Sequence, residues 1–138
     1  MTKQANSSCK IYVLGNSLLE EDSLPLRILP ELRKIFPRID FVRTDMTEEL
    51  PEEGHLIIID TVANASEIII LTEKEIDKLQ PSPNYSLHDF DLAINLKLMK
   101  KMGKLNKLTI LGVPSDMDEE KVVRELKKII SNLLSGNV

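Results

Sequence analysis

Residues His55-Leu56-Ile57-Ile58-Ile59-Asp60 place four consecutive apolar side chains, three of them isoleucine, directly before a carboxylate. A strand with one face in water alternates apolar and polar residues. An unbroken apolar run instead fits a strand covered on both faces, as in a parallel sheet between layers of helix. Other segments repeat the theme. Lys10 to Leu14 is a short apolar run ended by Gly15-Asn16, Glu67 to Leu71 holds three isoleucines in a row, and Lys107 to Val113 is closed by Pro114. Ile39 to Arg43 gives a weaker strand signal. A sheet of this kind excludes an all-helical bundle and a half-solvated antiparallel sandwich.

Helical patterns separate the strands. Leu26, Leu29, Leu32 and Ile35 share one side of a segment that Pro37 ends. Pro25 suits a first helical turn, whereas Pro30 predicts a kink or a later start. Ser86-Leu87-His88-Asp89 has the form of a capping box and opens a helix to about Met102, with Leu87, Phe90, Ile94 and Leu98 on one apolar face. Asp116 or Asp118 caps a last helix carrying Val122, Leu126, Ile129, Ile130 and Leu133. The alternation predicts an α/β three-layer sandwich around a five-stranded, mostly parallel sheet. Right-handed crossovers give it the flavodoxin-like order 2-1-3-4-5, as in phosphorylase/hydrolase-like folds. Residues 1–9 read as a polar N-terminal tail and 10–138 as a single domain.

Composition narrows the chemistry. The 138 residues include 1 Cys and 2 His. One Cys excludes a disulfide framework and any multi-cysteine zinc or iron–sulfur site within the chain. A formal net charge of −4 without a basic stripe argues against nucleic acid as a partner. No apolar run is long enough for a bilayer, and the polar start lacks a signal-peptide core, so no membrane partner and a cytoplasmic location are expected. No G-x-G-x-x-G, P-loop lysine or G-x-S-x-G elbow is present.

In a sheet of the expected order, ligands bind beyond the carboxyl ends of the strands, where the order reverses between the first and third. Gly15 to Ser23 and Asp60 to Asn64 emerge there, and the loop ending at His88 is expected to reach the same edge. One acid from Glu20-Glu21-Asp22 therefore meets Asp60 and His88. Two carboxylates and an imidazole suit a divalent cation such as nickel, zinc, manganese or iron(II), and they also suit general acid–base work. Each residue has a plainer reading: Asp22 or Glu21 as a helix cap, Asp60 as a turn former, His88 as a first-turn surface residue. His55, at the opposite end of its strand, reads as structural. Cys9 has no activating neighbour in sequence and reads as a bystander thiol.

The stretch Val13-Leu14-Gly15-Asn16-Ser17-Leu18-Leu19-Glu20-Glu21-Asp22-Ser23-Leu24-Pro25-Leu26-Arg27 resembles the opening motif of the hydrogenase maturation endopeptidases. In that family a strand leads to Gly-Asn, two apolar residues, an acidic pair and a helix bearing an Arg. Leu56 to Val62 resembles its third strand with a terminal acid. Ser86-Leu87-His88-Asp89 resembles its Ser/Thr-x-His segment, and Thr109 to Pro114 its fifth strand. The resemblance implies metal contact and catalysis by Asp22, Asp60 and His88, with Gly15, Asn16 and Glu21 in support. It implies an aspartyl-type endopeptidase that cleaves the C-terminal extension of a nickel–iron hydrogenase large-subunit precursor. The nickel is supplied by the precursor, other divalent cations being able to occupy the site, and the protease is expected as a monomer until it docks.

The chain departs from the family pattern in several places. Leu14 stands directly before Gly15 where a further glycine is usual, and Pro25 takes the place of a glycine. Thr44-Asp45-Met46-Thr47 is a reduced form of the segment tied to partner recognition, and the resemblance implies that Asp45 and Thr47 contribute weakly to substrate recognition. These departures motivate an alternative, a non-catalytic relative that binds a metallated hydrogenase subunit as a chaperone. A phosphorylated receiver domain shares the expected sheet order. It needs acids directly after the first strand and Lys-Pro after the fifth, where this chain has Gly15-Asn16 and Val113-Pro114.

Overall fold

The isoleucine-rich run forms the centre of one sheet. The computed structural model describes residues 9–15, 23–44, 54–63, 65–78, 86–87 and 90–135. Its strands are β1 (Cys9–Leu14), β2 (Ile39–Thr44), β3 (His55–Ala63), β4 (Ile69–Thr72), β5 (Ser86–Leu87) and β6 (Lys107–Pro114). The helices are α1 (Leu24–Arg27), α2 (Leu29–Ile35), α3 (Phe90–Lys101) and α4 (Glu119–Leu134), with a 3-10 turn at Glu73–Lys78. β3 pairs in parallel with β1 on one side and β6 on the other, and β2 extends the sheet beyond β1.

The α/β class and the mostly parallel sheet are as expected, but the strand order is β2-β1-β3-β6-β4. The last two places are exchanged relative to 2-1-3-4-5, and β4 runs antiparallel to β6. The cause is the connection after β3. Residues 64–68 are all that separate β3 from β4, and a parallel crossover needs a dozen or more residues. The chain therefore turns back, and the place beside β3 goes to β6, which arrives after the long helix α3.

Side chains on the two faces of the central strands feed two cores. Ile11, Val13, Ile57, Ile59, Leu111 and Val113 pack against α1, α2 and α4 through Leu24, Leu32, Val122, Leu126 and Ile130. Tyr12, Leu14, Leu56, Ile58, Leu108 and Ile110 pack against Leu96 of α3. Pro25 and Pro30 each stand in the first turn of a short helix, so the expected kink is a break between two helices at Ile28. Asp118, not Asp116, caps α4, its carboxylate accepting from Lys121 N at 3.3 Å.

Two local expectations are corrected. Ser86 and Leu87 do not open the long helix. They form β5, a two-residue antiparallel pairing with Val62 and Ala63, and the helix starts at Phe90. Within α3 the expected apolar face does not meet the core: Ile94 and Leu98 are exposed, while Leu96 is buried and Met99 packs partly against it.

Gly112 sits opposite Asp60 across the β3–β6 ladder and opposite Ile69 of β4. A Cβ there would lie 2.6 Å from Val62 Cγ1 and 2.8 Å from Ile69 Cγ1. Both neighbours are β-branched and stiff at χ1, so neither turns aside without strain. Gly112→Ala is therefore expected to lower unfolding free energy by about 1–3 kcal/mol in urea titration, and pairing it with Val62→Ala should recover part of that loss.

Candidate active site

The order reverses between β1 and β3, because β1 leads on to β2 on one side and β3 leads on to the far side of the sheet. The β1–β3 register is Tyr12↔Ile58 and Val13↔Ile59, so Leu14 and Gly15 run out beside Asp60 and Thr61. This is the crevice in which open α/β sheets hold ligands.

Asp60 does not make a turn. β3 continues to Ala63, and Asp60 lies inside the strand, 1% exposed and paired with Gly112. By strand alternation it shares the face of Leu56 and Ile58, toward α3. Thr61 faces the other way, is also 1% exposed, and its Oγ1 has no hydrogen-bond partner among the described residues. Two adjacent polar side chains are thus buried near the end of an otherwise apolar strand. A buried hydroxyl without a partner, such as that of Thr61, costs free energy that Val would not. Such local conflicts with packing concentrate at functional sites. The sequence signal for Asp60 was its position after four apolar residues; Thr61, beside it, was not singled out.

Asn16, Glu20, Glu21, Asp22, Asp45, Thr47 and His88 lie outside the described residues, and Gly15 directly follows β1. The described neighbours of Asp22 and His88 are informative. Ser23, the residue after Asp22, is buried at the N-cap of α1, and α1 packs on β1 and β3. Leu87, the residue before His88, pairs with Val62, two residues beyond Asp60. The chain was expected to bring this loop to the edge through a fourth strand beside β3. The loop's described residues, Ser86 and Leu87, instead reach the end of β3 as β5, while β4 runs toward the opposite end of the sheet. Among the described residues no three His, Cys, Asp or Glu come together in a metal-binding group.

On the other helical layer, an open groove lies past the end of β6, between Arg27 and residues 115–120. Arg27 Nη1 stands 3.3 Å from Glu119 Oε2. Asp116, Asp118 and Glu120 line the same groove. With more carboxylates than cations, it disfavours phosphate, in keeping with the lack of a phosphate loop in the sequence. Cys9 opens β1 and packs partly against the core. No described helix is long and apolar enough to cross a membrane.

A family model described as hydrogenase maturation protease, HycI, matches residues 42–135, about two thirds of the chain. The matched span runs from within β2 to the end of α4 and includes Asp60 and His88, while the Gly15 to Arg27 motif precedes it. Neither a curated protein nor a solved structure matches the chain.

Both histidines fall within the matched span, and His55 has a structural setting. It opens β3 at the amino edge of the sheet, opposite Lys107, with Nε2 2.8 Å from Thr109 Oγ1. Burial lowers its pKa below 6.5, and the Lys107 charge lowers it further against a smaller opposing effect of Glu73. Glu73 accepts a hydrogen bond from Leu108 N at 2.7 Å, where β4 has ended and offers no backbone partner. That bond holds the Glu73 carboxyl below 4.5. As pH falls, the unfolded chain protonates at His55 first, so the stability carried by neutral His55 is complete above 6.5 and lost as pH falls through the folded-state value. The Glu73 contribution has the same sign and is lost only below 4.5. Between about pH 7.5 and about pH 5, the urea midpoint of the wild type is therefore expected to fall more than that of His55→Gln.

Proposed function

The chain belongs to the hydrogenase maturation protease family, and from that membership we propose that it is a nickel-dependent endopeptidase removing the C-terminal extension of a nickel–iron hydrogenase large-subunit precursor. The observation that carries this reading is the β5 pairing. It ties Leu87, the residue before His88, to Val62, two residues past the buried Asp60. With Asp22 next to the buried Ser23 at the start of α1, all three proposed residues adjoin described positions at or beside the crevice between β1 and β3.

In this reading the nickel is cargo of the precursor, and the protease contributes Asp22, Asp60 and His88 as part of its coordination sphere. Imidazole binds metal only when neutral. Two carboxylates and an imidazole suit a borderline divalent ion whose other ligands the precursor supplies. Docking on the metal positions the scissile peptide. A carboxylate, Asp22 by preference, accepts a proton from the attacking water, and the same proton then serves the leaving amine. Carbonyl polarisation comes from the substrate's metal or a backbone N–H. Gly15, Asn16 and Glu21 support the loop carrying Asp22, while Asp45 and Thr47 contribute to choosing the precursor. The protein acts in the cytoplasm and is monomeric before docking.

The test is to mix the purified protein with nickel-loaded large-subunit precursors of its host and follow their mass. Loss of a C-terminal fragment is expected, with no loss from nickel-free precursor. Asp22→Asn, Asp60→Asn and His88→Ala should each slow processing by about 100-fold or more while keeping a cooperative unfolding transition. Intact precursor despite verified nickel loading would sink the reading.

A further inference from the structure

The large apolar side chains exposed among the described residues are Ile70, Ile94, Leu98, Met102 and Leu134. Three of the five form one row at a spacing of four, two on α3 and the third just past its end. Ile94 is 50% exposed, and Leu98 and Met102 are each 54% exposed. Met102 N donates to Leu98 O at 3.0 Å, so the row continues one step past the end of α3. These residues are not an unfilled part of the core, because Leu96 and Met99 already occupy the inner face. Residues four apart form a continuous ridge on a helix, and an apolar ridge rimmed by charge marks a contact surface.

We propose that this outer face of α3 docks an acidic, apolar-faced segment of the protein substrate itself, a proposal that rests on the protease reading above. Charge gives the first argument. Lys100 and Lys101 close α3 and Lys104 follows it, whereas the whole chain carries a formal charge of −4. A segment with apolar residues between Asp or Glu matches the ridge and its basic end. Position gives the second argument. α3 begins three residues after β5, which pairs with the end of β3, and leads to Lys107, where β6 starts at the amino edge. The ridge therefore begins near the carboxyl edge and runs down the sheet's face. A folded protein held at that edge meets it, and a short peptide bound at the crevice does not span it. Size gives the third. Three half-exposed side chains fall well short of the roughly 1,200 Å² that a stable interface buries. The ridge thus suits an extension of a contact made elsewhere better than a self-sufficient dimer.

The experiment compares wild type with Leu98→Glu, Met102→Glu and Lys101→Glu, using nickel-loaded large-subunit precursor in processing and direct binding assays. Leu98→Glu and Met102→Glu are expected to raise KM and Kd about tenfold with kcat at saturating precursor unchanged. Leu98→Gln should give a smaller shift of the same kind. The Lys101→Glu defect should shrink as salt rises from about 0.05 M to about 0.5 M, because an exposed charge contact is screened. Wild-type KM and Kd in Leu98→Glu would overturn the proposal. So would a loss confined to kcat, or a wild-type dimer in sedimentation that Leu98→Glu splits while precursor binding is retained. A wild type that neither binds nor cuts the precursor fails the protease reading itself, a result recognisable before any variant is compared.

Discussion

The ladder between β3 and β6 governs the placement of everything else. Eight residue pairs, from His55↔Lys107 to Val62↔Pro114, run in parallel register. Parallel pairing brings both strands to the same carboxyl edge, with Asp60 and Gly112 level with one another. β1 borders β3 on the other side, so this strand has no free edge along its middle and is covered on both faces. Polar groups are cheap in such a strand only near its ends. Asp60 and Thr61 stand three and two residues before the end and are still buried, and the Thr61 hydroxyl has no partner among the described residues. Gly112 belongs to the same arrangement. Lacking a Cβ, it lets Val62 and Ile69 close over β6 directly beside Asp60.

The sheet is clothed unequally. α1, α2 and α4 share one face, and α3 is the described helix that packs on the other. α4 separates its faces sharply, with Val122, Leu126 and Ile130 buried and charged residues outside. α3 does not, since it carries apolar residues inward and outward alike. Its polar residues Asn95, Lys97, Lys100 and Lys101 fall between two apolar rows instead of gathering on one face. One row, with Leu96 and Met99, meets the core, and the other, with Ile94, Leu98 and Met102, is exposed.

Much of the fold was legible because buried parallel strands have a distinctive composition. The runs at Lys10 to Leu14, His55 to Asp60 and Lys107 to Val113 each became a central strand within three residues of the expected end. What failed had physical causes. Strand order depends on connection length, and the five residues between β3 and β4 forbade the parallel arrangement that their composition suggested. Periodicity picked the wrong face of α3, because two apolar rows, Ile94-Leu98-Met102 and Leu92-Leu96-Met99, both fit a helical spacing. Ser86 has the chemistry of a helix cap, but its backbone found a partner in Ala63, and a ladder contact took the place of the cap. For the site, the position of Asp60 was legible from the apolar run that precedes it, whereas its burial was not. A turn former and a buried strand carboxylate look alike in sequence until the strand is seen to continue beyond them.

The scarcity of ligands in the sequence bears on the proposed chemistry. Of the two histidines, His55 is committed to the amino edge, where Thr109 bonds it and burial together with Lys107 lowers its pKa. That leaves His88 as the one other imidazole in the sequence. Cys9 begins β1, a strand's length from the carboxyl edge. A protein that stores its own borderline metal ion usually surrounds it with several nitrogen or sulfur donors. A protein that reads a metal already held by its substrate needs only enough donors to distinguish the loaded partner from the empty one. In the proposed reading, two carboxylates and one imidazole meet that lesser demand. In that reading, weak coordination has a further consequence for a processing enzyme. Once the cut frees the substrate to close over its own metal, a few modest contacts release quickly, whereas a full coordination sphere would compete with the product. Recognition then has to come from surface away from the metal, and the exposed ridge of α3 is surface of that kind.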